Sequence, residues 1–197
     1  MSMEPFVEVV DESVATGLAK EFYQRIRNGP DKQVPALVRA WSLAPEVAQA
    51  WLAQRTIAFQ ASGLSDRQYE MLLVRVTYNY RCAYVTRNHA WYFTQQGEYN
   101  ADEVAQIAQN WRESPFLCDA DRALLEFADK LSLHSDAIVR EDYSPLRAAG
   151  FTEGQLVALA FLIGWFVTDA IVPNAFGLGD GDPWTESMQQ VIDWGES

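Results

Sequence analysis

The sequence predicts an all-α helical bundle of about nine helices, formed by a single domain over residues 1–197. Three observations indicate this class. Apolar residues recur every three or four positions, Gly, Pro and Asn separate these segments, and the alternation typical of strands is scarce. With 197 residues, of which 49% are hydrophobic, the chain can bury a substantial core.

The first three helices are delimited by breaking residues. Residues 12–27 repeat apolar side chains every four positions, and Asn-Gly-Pro follows. A short helix is predicted over 34–42. Pro45 then opens a helix to about residue 61, where Gly63 is expected to serve as the C-terminal cap.

Capping boxes begin three of the later helices, because a Ser, Asn or Thr stands three residues before a Gln or Glu at positions 65, 100 and 152. The later helices are predicted over residues 65–78, 82–96, 101–111, 120–133, 141–149 and 153–171, with a final one from Pro183.

The predicted helix over 153–171 is apolar nearly all round. Gly164, Thr168 and Asp169 interrupt the apolar run, which falls short of the roughly 20 residues of a membrane span. We therefore expect a helix buried in the core or against another copy of the chain, and no membrane partner. Asp169 must face water, bond to a partner or face a site, because an unpaired buried carboxyl is costly.

Charge and cysteine content exclude several classes of protein. The net charge of -12 without a basic run argues against a nucleic-acid partner, which would need phosphate neutralisation by Lys and Arg. Two cysteines, Cys82 and Cys118, do not make a disulfide scaffold or a metal site. No cofactor is expected. The opening residues lack the basic start and apolar core of a secretory signal, which predicts a cytoplasmic location.

Residues 70–89 carry the candidate chemistry. If the chain reverses at Tyr78-Asn79-Tyr80, Glu70 and His89 each lie about ten residues, or roughly 14 Å, from the turn. Two antiparallel helices would then place the carboxylate and the imidazole at one height, as a pair able to transfer a proton. Glu70 and His89 could instead have purely structural roles, as a surface pair or as side chains bonded within the core.

Further side chains are expected around this pair. Cys82, Val85 and His89 follow a three-then-four spacing and share one helix face. Cys82 also fits the role of a small buried apolar residue. The predicted pocket residues, with aromatic neighbours Trp91, Tyr92 and Phe93, are Tyr78, Tyr84, Val85, Trp165 and Asp169.

The order Glu70, eleven residues, Cys82, two residues, Val85, three residues, His89 resembles the active-site motif of the alkyl hydroperoxidase D-like proteins in the carboxymuconolactone decarboxylase superfamily. The segment DRALLEFADK followed by the apolar helix from Thr152 resembles the second half of these proteins, so the resemblance covers about residues 35–176. It implies an all-α bundle that assembles as a homo-oligomer, a trimer or hexamer.

The sequence departs from the redox branch of the superfamily at one position. The resemblance places the second, peroxide-attacking cysteine of that branch at Val85, and valine cannot form a thiolate, so a two-cysteine disulfide cycle cannot run. The decarboxylase branch lacks the cysteine pair and uses polar residues to transfer protons on a small carboxylated lactone. Glu70 and His89 are compatible with that branch.

Three functional hypotheses follow. The leading one is a cofactor-independent enzyme that transfers protons on a small carboxylated or apolar molecule, by decarboxylation, lactone or isomerisation chemistry. Glu70 would act as general acid or base, His89 as its partner and Cys82 as a pocket wall. The second is an antioxidant with peroxiredoxin-type activity at a lone reactive Cys82. The third is a non-catalytic helical binding module, which a pocket filled by Trp91 or Trp165 would favour.

Overall fold

A computed structural model describes residues 6–8, 10–28, 34–179 and 181–194, and all regular structure in these ranges is helical. The all-α prediction is confirmed, with ten α-helices over the described residues in place of about nine. They are α1 (Gly17–Arg27), α2 (Ala36–Trp41), α3 (Pro45–Ser62), α4 (Asp66–Asn79), α5 (Ala83–Gln95), α6 (Ala101–Asn110), α7 (Asp119–Leu133), α8 (Ser144–Ala148), α9 (Glu153–Ala175) and α10 (Glu186–Gln189).

Local sequence signals fix most helix ends as predicted. All three capping boxes form, at the starts of α4, α6 and α9. Gly63 ends α3 in the left-handed conformation, at φ 70°, which glycine adopts without steric cost. The first helix begins at Gly17, five residues later than predicted. The apolar spacing before Gly17 therefore overestimates its length.

The reversal between α4 and α5 occurs slightly later than predicted. Helix α4 continues through Asn79, and Arg81 takes a left-handed conformation with φ 54°, the one positive φ among described non-glycine residues. The side-chain amide of Asn174 donates to the carbonyl oxygen of Tyr80 over 3.2 Å. The end of α9 therefore fastens the turn that sets the two helices antiparallel.

Helix α4 lies at the centre of the bundle and packs against α5, α6, α7 and α9. Its five fully buried apolar side chains are Met71, Leu72, Leu73, Val74 and Val76. A smaller apolar cluster around α1 joins this core through Trp41 and Leu52. Since α4 carries Glu70, the position of this carboxylate is set by a helix that packs against four others.

Helix α9 packs along α3 and is longer than predicted, because it continues past Pro173 to Ala175. Among the described residues it is the helix that is long and apolar enough, by length and composition alone, to cross a membrane. Within the chain, 56% of its most apolar window is buried, and Asp169 is among the buried residues. These features are those of a core helix with one face left uncovered.

A buried ion pair locks α4 to α7. Nε and Nη2 of Arg75 donate to the two carboxylate oxygens of Asp129 over 2.7 and 3.0 Å. Asp129 also accepts from the amide of Asn79 at 2.7 Å and from the indole of Trp111 at 2.9 Å. Burial would raise the pKa of Asp129, but these donors outweigh it and hold the pKa below its usual value.

We expect Asp129→Ala to lower the free energy of unfolding by about 3–5 kcal/mol, because it leaves the Arg75 guanidinium buried without its counter-charge. Urea denaturation followed by circular dichroism measures this. Glu153→Gln is the matched control, since it breaks the solvent-exposed pair with Arg147 and should change the stability far less than Asp129→Ala does. Equal losses in the two variants would contradict a special role for the buried network.

Candidate active site

Glu70 and His89 form a hydrogen-bonded pair between α4 and α5. Oε2 of Glu70 lies 2.8 Å from Nδ1 of His89, and the two side chains are 13% and 21% exposed. Because an ionised carboxylate can only accept, Nδ1 carries the proton and Nε2 is the ring nitrogen left for another molecule. The structure thus brings these two predicted residues together, and we call them the dyad.

The surroundings of the dyad favour the protonated imidazole. Burial lowers the pKa of His89, but the charge of Glu70 and its hydrogen bond raise it. The charge of Asp169 also raises it and that of Arg55 lowers it, and the net result is a pKa above the ordinary value of 6.5. The ring is therefore able to act both as a base and, once protonated, as an acid near neutral pH.

A cavity of about 170 Å³ lies beside His89, between α2, α3, α5 and α9. We call it the dyad cavity. Its walls are mostly apolar and aromatic, and four of the five predicted pocket residues line it. The lining residues are Ile26, Pro35, Leu37, Val38, Trp41, Leu52, Arg55, Tyr84, Val85, Asn88, His89, Tyr92, Trp165 and Asp169.

Tyr78, the fifth predicted pocket residue, is not among the residues that line the dyad cavity. Its ring stacks on Trp194 with centroids 5.0 Å apart, and its hydroxyl donates to the carbonyl oxygen of Asp193 at 3.0 Å. Eight residues along a helix correspond to a rotation of about 80° beyond two full turns, so Tyr78 leaves the face of Glu70. It anchors the C-terminal segment instead.

Of the three aromatic neighbours predicted around the dyad, one lines the cavity and two do not. Tyr92 lines the cavity, while Trp91 packs edge-on against Tyr92 and Phe93 is fully buried against Tyr99. Trp165 forms a wall, stacked on Trp51 with centroids 4.3 Å apart, and does not fill the cavity.

Tyr84 and Asn88 are held in place by Asp182, which follows α9. The Tyr84 hydroxyl donates to Oδ2 of Asp182 at 2.5 Å and accepts from the backbone N–H of Leu37 at 3.1 Å. The Asn88 amide donates to the same Oδ2 at 2.9 Å. Because the Tyr84 proton is committed to Asp182 and burial raises its pKa, this hydroxyl is a fixed wall and not an acid.

Asp169 faces the dyad cavity from α9. It is 3% exposed, and its Oδ1 has no hydrogen-bond partner among the described residues. Burial raises its pKa from 3.8 to about 7, although the charges of His89 and Arg55 oppose this rise. Near neutral pH the site therefore contains a carboxyl group that can hold a proton and donate it.

Arg55 is a residue of the cavity that the sequence argument missed. It lies on α3, one turn after Leu52, and its guanidinium carbon lies 5.8 Å from the ring centroid of Trp165. It lines the dyad cavity and also a neighbouring cavity of about 280 Å³ that reaches Glu70 from the other side. No local pattern distinguishes this arginine from the solvent-facing residues of α3.

Cys82 stands beside the site but is not among the residues that line the cavity. It is fully buried before the first turn of α5, and this burial raises its pKa to about 12. Cys118 is exposed before α7, whose Asp121 bonds to Arg67 in the first turn of α4. Since Cys82 follows the other end of α4, about 20 Å separate the two thiols along that helix.

Val85, at the position where the motif of the redox branch has its second cysteine, does line the cavity. The wall that a thiol would occupy is therefore apolar. Among the described residues, no group of three or more His, Cys, Asp or Glu side chains is arranged to hold a metal ion.

No family model and no curated protein matches the sequence. Solved structures do match. A peroxidase-related protein of Ralstonia eutropha JMP134, described as having an alkylhydroperoxidase AhpD core, is 18% identical with a TM-score of 0.83, over 98% of this chain and 100% of that chain. A peroxidase-related protein of Silicibacter sp. TM1040 is 23% identical with a TM-score of 0.75, over 90% and 94%.

A third similar structure is the debrominase Bmp8, which is 17% identical with a TM-score of 0.76, over 95% of this chain and 98% of that chain. A cysteine-to-alanine variant of Bmp8 has also been solved in complex with 2,3,4-tribromopyrrole. The resemblance found in the sequence is confirmed at the level of the fold: this chain has the fold of the alkyl hydroperoxidase D-like proteins.

Proposed function

We propose that this chain is a cofactor-independent enzyme that transfers a proton on a small carboxylated or apolar molecule bound in the dyad cavity. One observation carries the proposal: Nδ1 of His89 is held by Glu70 at 2.8 Å, which leaves Nε2 as the free ring nitrogen of a residue that lines the cavity. Decarboxylation, lactone chemistry and isomerisation all need such a group.

Each residue of the dyad has a separate task. Glu70 accepts the Nδ1 proton, which fixes the ring orientation and gives the lone pair to Nε2. His89 takes a proton from the substrate, and the resulting imidazolium is stabilised by the carboxylate. It can return the proton at a second atom, which completes an isomerisation, or protonate the carbanion that remains after loss of carbon dioxide.

The cavity suits such chemistry because its walls are mostly apolar or aromatic. A low-dielectric environment strengthens the attraction between the imidazolium and Glu70. A cavity of about 150 Å³ is able to hold benzene, so 170 Å³ admits a single ring compound. The complex of Bmp8 with 2,3,4-tribromopyrrole, a compact ring, supports a ligand of this kind for the fold.

We further propose a cytoplasmic location and assembly of copies of the chain through the outer face of α9. Val157, Phe161 and Ile171 on this face are 59%, 61% and 50% exposed. A groove of about 610 Å³ runs along it between Phe161 and Trp51. An exposed apolar surface of this kind is typical of a protein interface, and a second copy would supply a matching apolar face.

We expect Glu70→Gln and His89→Gln each to lower turnover by about 10²–10⁴-fold without unfolding the protein, because each removes one half of the acid–base pair. Carbon dioxide release and proton–deuterium exchange on a panel of small carboxylated lactones measure this. His134→Gln is the matched control, since His134 is the other histidine of the chain and is exposed. Unchanged turnover in both dyad variants contradicts the proposal.

The same variants predict a shift in titration. Glu70→Gln should lower the pKa of His89, because it removes the charge that raises it, while His134 should not change. Two-dimensional ¹⁵N spectra resolve the two imidazoles during a pH titration. The raised pKa of His89 stabilises the fold below pH 6.5, and this contribution is lost as pH rises through the folded-state value.

The antioxidant alternative predicts a reactive Cys82, and the structure favours the opposite result. We expect a thiol reagent at pH 8 to modify Cys118 at least about 100-fold faster than Cys82, because a buried thiol with a raised pKa forms little thiolate. Mass spectrometry of tryptic peptides over time measures both sites. Rapid sulfenic acid formation at Cys82, with loss of peroxide consumption in Cys82→Ala, would favour the antioxidant function.

For the assembly, we expect static light scattering to give a mass of three or six chains. Phe161→Glu should shift the protein toward the monomer, because it places a charge in the apolar contact. Leu133→Glu is the control, since Leu133 is an exposed apolar residue at the end of α7. A monomeric native protein would contradict this part of the proposal.

A further inference from the structure

We propose that Arg55 binds the anionic group of the substrate, so that the ligand of the dyad cavity is a small organic monocarboxylate whose reacting atom lies at His89. The inference rests on the proposed function, because it concerns the same cavity. It adds the charge of the substrate and the residue that recognises it.

The first argument is that Arg55 forms no ion pair with the described residues. Its guanidinium makes no ion pair within 4 Å among the described residues, although it lies partly buried against Trp165. Comparable arginines of the core are neutralised: Arg67 by Asp121 and Arg75 by Asp129, each over 2.7 Å. A desolvated cation without a partner is costly unless a ligand supplies the anion.

The second argument is the charge balance of the cavity. In the protonated state of the dyad, which the raised pKa of His89 favours, the imidazolium compensates Glu70, to which it is bonded. The remaining carboxyl group is Asp169, whose burial favours the protonated form near neutral pH. Asp182 lies behind Tyr84 and Asn88, which donate to it. Among the side chains that line the cavity, Arg55 is then the charged group without a bonded counter-charge, in a chain whose net charge is -12. The site therefore attracts an anion where the rest of the chain repels it.

The third argument is the unsatisfied carboxyl oxygen of Asp169. Oδ1 is buried, has no hydrogen-bond partner among the described residues and belongs to a side chain that lines the same cavity as Arg55. A protonated Asp169 can donate to an oxygen of a bound carboxylate, while Arg55 donates to the same group from α3. A ligand carboxylate thus gives Arg55 a counter-charge and gives Oδ1 of Asp169 a hydrogen-bond partner.

The fourth argument is the composition of the walls. Apart from Arg55, Asn88, His89 and Asp169, the lining side chains are apolar or aromatic, and they include Trp41, Val85 and Trp165. A molecule with one charged group and one planar apolar group is complementary to these side chains. The volume of about 170 Å³ limits it to a single ring. A nucleotide or a dianionic sugar phosphate is too large and too polar for these walls.

Benzoate and its neutral isostere benzamide are the probes that test the inference, and isothermal titration calorimetry measures their binding to the full chain. We expect the native protein to prefer benzoate, and Arg55→Met to weaken benzoate binding by about 10- to 100-fold, as loss of a charged hydrogen bond predicts. Benzamide binding should change by less than about twofold. Arg55→Lys should restore part of the benzoate affinity, since it restores the charge.

Arg140→Met is the matched control, because Arg140 is an exposed arginine outside the cavity, and it should bind benzoate like the native protein. Circular dichroism confirms that each variant is folded, and the preference of the native protein for benzoate over benzamide tests the inference if Arg55→Met is not. The inference is overturned if Arg55→Met binds benzoate as tightly as the native protein does, if the native protein prefers benzamide, or if it shows no saturable benzoate binding below about 10 mM.

The two proposals fail in different ways. If the dyad variants keep full turnover while benzoate binding still depends on Arg55, the proposed proton transfer is wrong and the chain is an anion-binding protein. If the dyad variants lose turnover while Arg55→Met binds benzoate normally, the enzyme stands and the role of Arg55 is wrong.

Discussion

The hydrogen bond between Glu70 and His89 depends on how firmly α4 is held. Six consecutive positions from Met71 to Val76 on α4 include five that are fully buried, so a shift of this helix would disturb several packed layers at once. The Arg75–Asp129 pair, one turn beyond Glu70, ties the same helix to α7. The dyad is therefore preorganised by packing and ion pairing on one side, which leaves the His89 side open toward the cavity.

Electrostatics in the site are governed by burial more than by the number of charges. Asp169 and His89 lie in one cavity, and burial opposes ionisation of both, yet only His89 has a bonded counter-charge. Consequently both groups keep their protons to higher pH than in the unfolded chain. The folded state therefore loses stability as pH rises, between about pH 3.8 and 7 for Asp169 and above pH 6.5 for His89. The arrangement that lowers stability at higher pH is also the one that places an acid and a base side by side.

The spacing of residues about the α4–α5 turn was sufficient to predict the dyad, because the heights of two residues on antiparallel helices follow from counting. The same counting failed for Tyr78, whose direction depends on rotation about the helix axis and not on height. Arg55 and Asn88 could not be predicted as site residues in this way. Arg55 reaches the cavity through the packing of α3 on α9, a contact between distant segments that no local pattern encodes.

Val85 shows how one substitution changes what the remaining groups can do. In the redox motif that this sequence resembles, the position holds a thiol beside the histidine, and here it is an apolar wall of the cavity. Without a thiolate to activate, the pair of Glu70 and His89 has no protein nucleophile to serve, and the only atoms left for it to deprotonate are those of a bound molecule. The fully buried Cys82, whose pKa is raised to about 12, does not replace that nucleophile. Under the proposed function the chemistry of the site comes from the ligand, and the proposed recognition of a carboxylate by Arg55 and Asp169 would decide which reaction the dyad performs.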